Sequence, residues 1–199
     1  GSTLRHFAAE KIPQRPCASL GILSADELRS LKAAGLKRYH HNLEVSRNFF
    51  PQLCTTHTYD ERVATVRAAQ EAGLETCVGG IFGVGESVED RIDLLFEIAE
   101  LAPDSVPLNF LVPIAGTPVG HLPPFDMFEA VKLIALARFI LPDKDIKVGG
   151  GRIEVFGDSQ VLVFLAGANS IITGDLLTVK GRRSADDIKL LADLGLTPT

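Results

Sequence analysis

One phrase recurs along the chain and limits what it can fold into: a helical stretch closes on a glycine, and a short apolar strand follows at once. LKAAGLKRYHHN does this at Gly35, AQEAGLETCVGG at Gly73 and LADLGLTPT at Gly195. A glycine just past a helix end supplies the left-handed conformation that closes the last turn. The helix starts carry their own signature. Ser24 stands three residues before Glu27, Thr58 before Glu61, Ser87 before Asp90 and Ser184 before Asp187. That is the spacing of a capping box, in which Asp is a weaker partner than Glu. Between these signals six strand–helix units can be read. The strands lie near 15–20, 37–42, 75–81, 106–111, 146–149 and 169–172, and the helices near 24–34, 58–72, 88–101, 125–141, 158–166 and 184–194. In the second helix Tyr59, Val63, Val66 and Ala69 fall on one face, as a 3.6-residue period requires. Strict alternation of strand and helix builds a parallel sheet with right-handed crossovers.

Two parallel architectures fit that alternation, a doubly wound sheet and a (β/α) barrel. A doubly wound nucleotide binder carries its glycine fingerprint on the first strand–turn–helix, whereas here the glycines of GGIFGVGE follow the third strand. Polar residues also end several different strands: Cys17, Asn42 with Glu44, Cys77, Asn109 and Arg152. A barrel gathers such positions at one end. The reading is therefore a partial (β/α) barrel of about six units, since six do not close an eight-stranded one. No Gly/Ser/Pro-rich linker divides the chain, so residues 13–199 read as one domain after a short N-terminal segment, 1–12, whose Gly1-Ser2 resembles a cloning scar.

Composition narrows the function classes. With 46% hydrophobic and 23% charged residues the chain is an ordinary globular sequence and not a disordered one. A formal net charge of −5 without a basic block argues against nucleic acid as a partner. No run of 18 apolar residues exists to span a membrane, and no secretory pattern opens the sequence. The three cysteines, Cys17, Cys54 and Cys77, are odd in number and match no small disulfide scaffold or zinc finger. The expected setting is a reducing cytoplasm. Each thiol taken alone reads as a small buried hydrophobe.

Four stretches can carry chemistry. GGIFGVGE keeps backbone open either for a ligand or for a tight turn, and Glu86 beside it can bond loop backbone or a ligand amine. In YHHNLEVS, His40 and His41 are adjacent and on a strand face opposite sides, so they are not expected at one site. His41 reads as a hydrogen-bonded structural histidine in preference to a metal ligand. Asn42 and Glu44 share a face and suit a ribose diol or an amino group. In KVGGGRIEV, three glycines precede Arg152, as if the guanidinium were aimed at something close to the backbone. Asn109, on the apolar strand SVPLNFLVPIAGTP, needs partners from neighbouring strands or from a substrate.

Taken together, CASLG at 17–21, YHHNLEVS at 39–46, TTHTYDERVATVRAAQEAG at 55–73, CVGGIFGVGES at 77–87, SVPLNFLVPIAGTP at 105–118, GGGR at 149–152 and LAGANSI at 165–171 resemble the biotin synthase family. The resemblance covers nearly all of residues 13–198 in order. Hydrogenase-maturation and methylornithine-forming radical enzymes share the barrel and glycine loop but fit this series less well. The resemblance implies a radical S-adenosylmethionine (SAM) barrel enzyme that inserts sulfur into dethiobiotin. It implies a [4Fe-4S] cluster that reduces SAM to a deoxyadenosyl radical and a [2Fe-2S] cluster that donates sulfur. Residue by residue, Cys17 and Cys77 resemble two of three cysteine ligands of the [2Fe-2S] cluster and Arg152 its arginine ligand. Asn42 and Glu44 resemble the SAM ribose contacts, Asn42 also a substrate contact. Gly80, Ile81 and Gly83 resemble the backbone beside the adenine, and Asn109 the substrate-binding asparagine. Cys54 matches no ligand and reads as incidental.

The pattern also departs from the family. No Cys-x3-Cys-x2-Cys occurs, the third [2Fe-2S] cysteine is absent, and Val78 stands where the family often has Ser. The expectation is the C-terminal three-quarters of a barrel, through truncation, gene error or natural splitting. By itself it should be inert and should self-associate, as a homodimer for example, or need an N-terminal segment. A reducing electron-donor protein is a further implied partner. The rivals are a non-catalytic binding module and an unrelated β/α-barrel lyase or phosphate binder. Retained Cys17, Cys77 and Arg152 favour the enzyme over the first, and the glycine loop's lack of a basic partner weighs against the second.

Overall fold

The computed structural model describes residues 15–175 and 181–198, so segment 1–12 lies outside the described residues. Contacts divide the chain into two compact units, residues 1–80 with 86–106 and residues 81–85 with 107–199.

The first unit alternates short strands with helices: β1 (Cys17–Ala18), α1 (Ala25–Ala33), β2 (Arg38–His40), α2 (Phe50–Leu53), α3 (Tyr59–Glu71), β3 (Glu75–Cys77) and α4 (Val88–Leu101). β1, β2 and β3 pair in parallel, and Cys77 then pairs with Ser105 at the start of β5 (Ser105–Phe110). The capping boxes form as read at Ser24–Glu27, Thr58–Glu61 and Ser87–Asp90. Each replaces orphaned helix-start N–H groups with side-chain partners, worth about 1 kcal/mol. The buried face of α3 is Tyr59, Thr65, Val66 and Ala69, with Val63 only half-buried. Leu28, Leu36, Tyr39, Ala69, Ala72 and Leu74 form one core cluster between α1, α3 and the sheet. Tyr39 pairs with Ala18 and Thr76, so these three point to the helix-covered face. Cys17, Arg38, His40, Glu75 and Cys77 alternate to the other face.

The expected strand 75–81 is two strands, β3 and β4 (Gly80–Phe82). The break has a cause. The Val78 N–H donates to Ser105 O, while Gly79 O accepts from Leu43 N and Glu44 N, so backbone partners change between β3 and β4. Gly80 itself has no room for a side chain: a Cβ there would lie 2.4 Å from Glu44 O.

In the second unit the order is β5, β6 (Asp145–Val148), β7 (Ser170–Ile171), with β4 against β5 and β6 parallel to β7. Its helices are α5 (Met127–Ile140), α6 (Arg152–Phe156), α7 (Val161–Leu165) and α8 (Ser184–Asp193). Phe110 anchors an aromatic core, with ring centroids 5.2 Å from Phe125, 6.1 Å from Phe156 and 6.4 Å from Phe82. A fully buried ring of this kind contributes roughly 1.5–3 kcal/mol. The expected helix 158–166 is only α7, and α6 precedes it unannounced. Gly157, at φ 47 and ψ −121, separates the two. The expected cap at Ser184 does not form either. Arg183 is the N-cap without a side-chain bond, and Asp187 is turned inward instead.

Candidate functional site

The end of β2 builds a cavity of about 360 Å³ within the first unit, lined by Ser19, His40, His41, Asn42, Glu44, His57 and Arg62 among others. Local backbone sets this lining. β2 stops at His40, and His41 N donates to Cys77 O at 3.0 Å. Beyond the strand, strict alternation ends, so His40 and His41 line the same cavity and do not face opposite sites as the sequence suggested. Asn42 and Glu44 do come together: Asn42 Nδ2 donates to Glu44 Oε2 at 3.4 Å, while the Gly79 N–H donates to Asn42 Oδ1 at 3.1 Å. Their shared side does not come from an extended strand. Glu44 has φ 73, a left-handed conformation that costs a side-chain-bearing residue about 1–2 kcal/mol. The isolated bridge of Glu44 to Gly80 holds it there.

Arg62 was missed from sequence. It stands in the first turn of α3, three residues after Tyr59 and four before Val66, a cation on the apolar face. That spacing was the available signal. Its Nη1 donates to Asn42 O at 2.8 Å and to Glu44 Oε1 at 3.4 Å, and its guanidinium lies 5.5 Å over the Phe50 ring. Two buried nitrogens of the cavity lining, His41 Nε2 and Arg62 Nε, have no hydrogen-bond partner. His41 is thus not the hydrogen-bonded structural histidine expected. Burial, and then the neighbouring Arg62, His40 and His57, push its pKa down to about 4, so it is neutral at pH 7. Burial raises the Glu44 carboxyl above its ordinary value, opposed by Arg62 and by the hydrogen bond from Asn42.

Cys17 is exposed and Cys77 buried, both on the sheet face opposite the α1–α3 core. Cys77 Sγ lies 3.3 Å from His40 Nδ1. Cys54 is not isolated: its Sγ lies 3.4 Å from Thr56 Oγ1 and 3.5 Å from His57 Nδ1, and the Thr56 contact lowers its thiol pKa. Glu86 is buried and ion-paired with Arg91 at 2.7 Å.

Asn109, Ile81, Gly83 and Arg152 belong to the second unit. Asn109 Oδ1 accepts the Gly150 N–H at 2.9 Å. The glycines before Arg152 are explained by β5: a Cβ on Gly149 would meet Asn109 Oδ1 at 2.6 Å, and one on Gly151, at φ 75, would meet Phe110 O at 2.2 Å. Arg152 is not on a strand; it opens α6 and is 3% exposed. Among the described residues no group of three or more His, Cys, Asp or Glu is placed to hold a metal ion, and no helix is long and apolar enough to cross a membrane.

Residues 7–98 match the radical SAM superfamily, and residues 107–197 match the biotin and thiamin synthesis associated domain. The chain is 56% identical over 180 residues to biotin synthase of Heliobacterium modesticaldum, covering 90% of this chain and 55% of that protein. It is 55% identical over 181 residues to biotin synthase of Thermotoga neapolitana, covering 90% of this chain and 64% of that one. The chain thus spans a little over half the length of these relatives. Among solved structures, methylornithine synthase PylB superposes with a TM-score of 0.83 at 21% identity, over all of this chain and 62% of that one. That likeness carries the fold alone, which is a partial (β/α) barrel of the radical SAM type.

Proposed function

Because the chain belongs to the biotin synthase family of the radical SAM superfamily, we propose that it is part of an enzyme that inserts sulfur into dethiobiotin, and that the β2-end cavity binds SAM. The observation that carries the SAM reading is the pair of unpartnered buried nitrogens, His41 Nε2 and Arg62 Nε, lining one cavity beside Asn42 and Glu44. A buried polar atom without a partner costs about 1–3 kcal/mol, and a polar ligand would remove that cost. Glu44 is already oriented by Asn42 and Arg62 and keeps lone pairs for a ribose diol. Arg62 has an N–H left for the ligand's carboxylate. Gly80, Ile81 and Gly83 would lie beside the adenine, and Asn42 and Asn109 would hold dethiobiotin.

The donors suit an iron–sulfur group in part. Cys17 and Cys77 stand on one sheet face, and thiolates are the usual ligands of such clusters. They would be ligands of a [2Fe-2S] cluster, with Arg152 and a cysteine from outside this chain completing it. Arg152 as hydrogen-bonded here has no free terminal nitrogen, so ligation would require it to leave a partner. When bound, SAM with its [4Fe-4S] cluster would supply a deoxyadenosyl radical, and the [2Fe-2S] cluster the sulfur. The cysteines of this chain do not have the spacing that would hold the [4Fe-4S] cluster. The chain alone is therefore proposed to be inert, working with an electron donor and with either a further polypeptide segment or a second copy of itself.

Titration calorimetry of SAM into the chain tests the cavity. Glu44→Ala should weaken binding by about tenfold or more, since hydrogen bonds to a charged group contribute roughly 1.5–3 kcal/mol. Unaltered affinity with a large loss of stability would reverse the assignment. Incubated anaerobically with iron, sulfide, reductant, SAM and dethiobiotin, the chain alone should yield neither 5′-deoxyadenosine nor biotin.

A further inference from the structure

The two terminal nitrogens of Arg152 are fully held. Its Nη1 donates to Gln160 Oε1 at 2.6 Å and to Asp187 Oδ1 at 3.2 Å. Its Nη2 donates to Ile172 O at 3.1 Å and to Asp187 Oδ2 at 2.7 Å. A guanidinium has two hydrogens on each terminal nitrogen, so these four bonds use all four. The acceptors are themselves fixed. Gln160 Nε2 donates to Gly157 O at 2.7 Å, which turns its Oε1 toward the arginine, and Asp187 also accepts from Arg182 Nη1 at 3.3 Å. Arg152, Gln160 and Asp187 are 3%, 2% and 2% exposed.

Asp187 is the member of this set that the sequence assigned elsewhere, to a helix cap it does not make. It lies on α8, 35 residues from Arg152, and its two oxygens grip both terminal nitrogens in a fork. Such a fork fixes orientation as well as distance. We infer that Asp187 is a positioning residue for Arg152: it holds the guanidinium in one orientation, and the terminal nitrogens of Arg152 take a further ligand only by giving up part of this fork or one of its two flanking partners. The second clause rests on the proposed part of Arg152 in cluster binding; the first does not.

Nitrogen-15 NMR of the arginine side chains reads the first clause. A guanidinium pinned at four points rotates slowly and shows separate Nη signals, whereas a solvated one shows merged signals. One arginine of the chain, assigned by its loss in Arg152→Lys, should show the separate pattern. Asp187→Asn should merge it and lower Tm by roughly 6 °C or more, and Asp187→Glu should restore part of the separation. Separate signals that persist in Asp187→Asn would overturn the inference. If that variant does not fold, the wild type decides: merged Arg152 signals overturn it and separate ones support it. Anaerobic addition of iron and sulfide reads the second clause. Cluster absorption accompanied by a shift or loss of the Arg152 signals supports the exchange, and absorption with those signals unchanged overturns it. If no cluster forms on the chain alone, the second clause fails for this chain, the ligands it offers being too few, and the arginine spectrum still decides the role of Asp187.

Discussion

At the β2-end cavity, His41 and Arg62 each keep a buried nitrogen without a partner; around Arg152, every terminal N–H finds an acceptor. Both places set an arginine beside a carboxylate, partly buried in the first and fully buried in the second. In the first, one guanidinium nitrogen divides its donation between Glu44 and a backbone carbonyl, and capacity is left over. In the second the guanidinium and Asp187 are matched oxygen for nitrogen. The contrast separates two uses of buried polarity. A set of terminal N–H bonds that is complete fixes the side chain, so that a ligand can take those nitrogens only in exchange for a partner. An incomplete one stays costly until a ligand arrives, and is tolerated because the rest of the unit, including the Leu28–Tyr39–Ala69 core, offsets the cost.

The strongest way to break the comparison is to open the closed network. Arg152→Met would leave Asp187 buried with Arg182 as its remaining charged partner. Removing one member of a buried pair costs about 3–5 kcal/mol, which urea unfolding of the chain should show as a lowered midpoint. A loss under about 1 kcal/mol would mean that the network does not hold the second unit together.

A comparable effect belongs to the cavity and depends on pH. An unfolded histidine titrates near 6.5, whereas folded His41 titrates at about 4. Between these values the unfolded chain binds a proton that the folded chain refuses. The contribution of His41 is therefore fully present above pH 6.5 and is lost as pH falls toward 4, by about 3 kcal/mol at most. Glu44 works in the opposite direction: its raised carboxyl pKa makes folding less costly as the group protonates. His41→Gln should flatten the fall in stability between pH 6.5 and 4. An unchanged slope would show that His41 is not the titrating group.

The smallest effect sharpens the rule about unpartnered atoms. Ser105 Oγ is buried without a partner and does not line the β2-end cavity. Ser105→Ala should change stability by less than about 1 kcal/mol, in the stabilising direction, because it deletes a desolvated hydroxyl that bonds nothing. A loss of several kcal/mol would mean that this hydroxyl has a structural partner after all.

What was legible in the sequence was local. The boxes at Ser24, Thr58 and Ser87 need only a residue three positions away, and all three form. The same pattern at Ser184 misled, because Asp187 finds a stronger partner in Arg152, which no spacing announces. The strand–helix alternation was readable, but the break between β3 and β4 was not, since it depends on Leu43 and Glu44 reaching Gly79 from another segment. Asn42 and Glu44 were paired correctly for the wrong reason. An extended strand would place them together, and a left-handed Glu44 does so here. Arg62 was hidden because a charged residue on a helix face ordinarily reads as solvated. Only the packing of α3 on the sheet turns it toward the cavity.

The three working capping boxes also bear on the order in which the chain assembles. A helix whose first turn is written within four consecutive residues can choose its starting point as soon as those residues exist. The beginnings of α1, α3 and α4 are therefore settled by short-range events, on the timescale of helix nucleation. β2 takes its register from Cys17 and Ala18 upstream and from Glu75, Thr76 and Cys77 downstream, and such distant pairings form slowly. α8 has no box of its own, and its clearest anchor is Asp187 on an arginine made 35 residues earlier. It is the one helix among these four that starts on a surface already built, so it is the one whose arrival reports that the β6-to-α6 turn is in place.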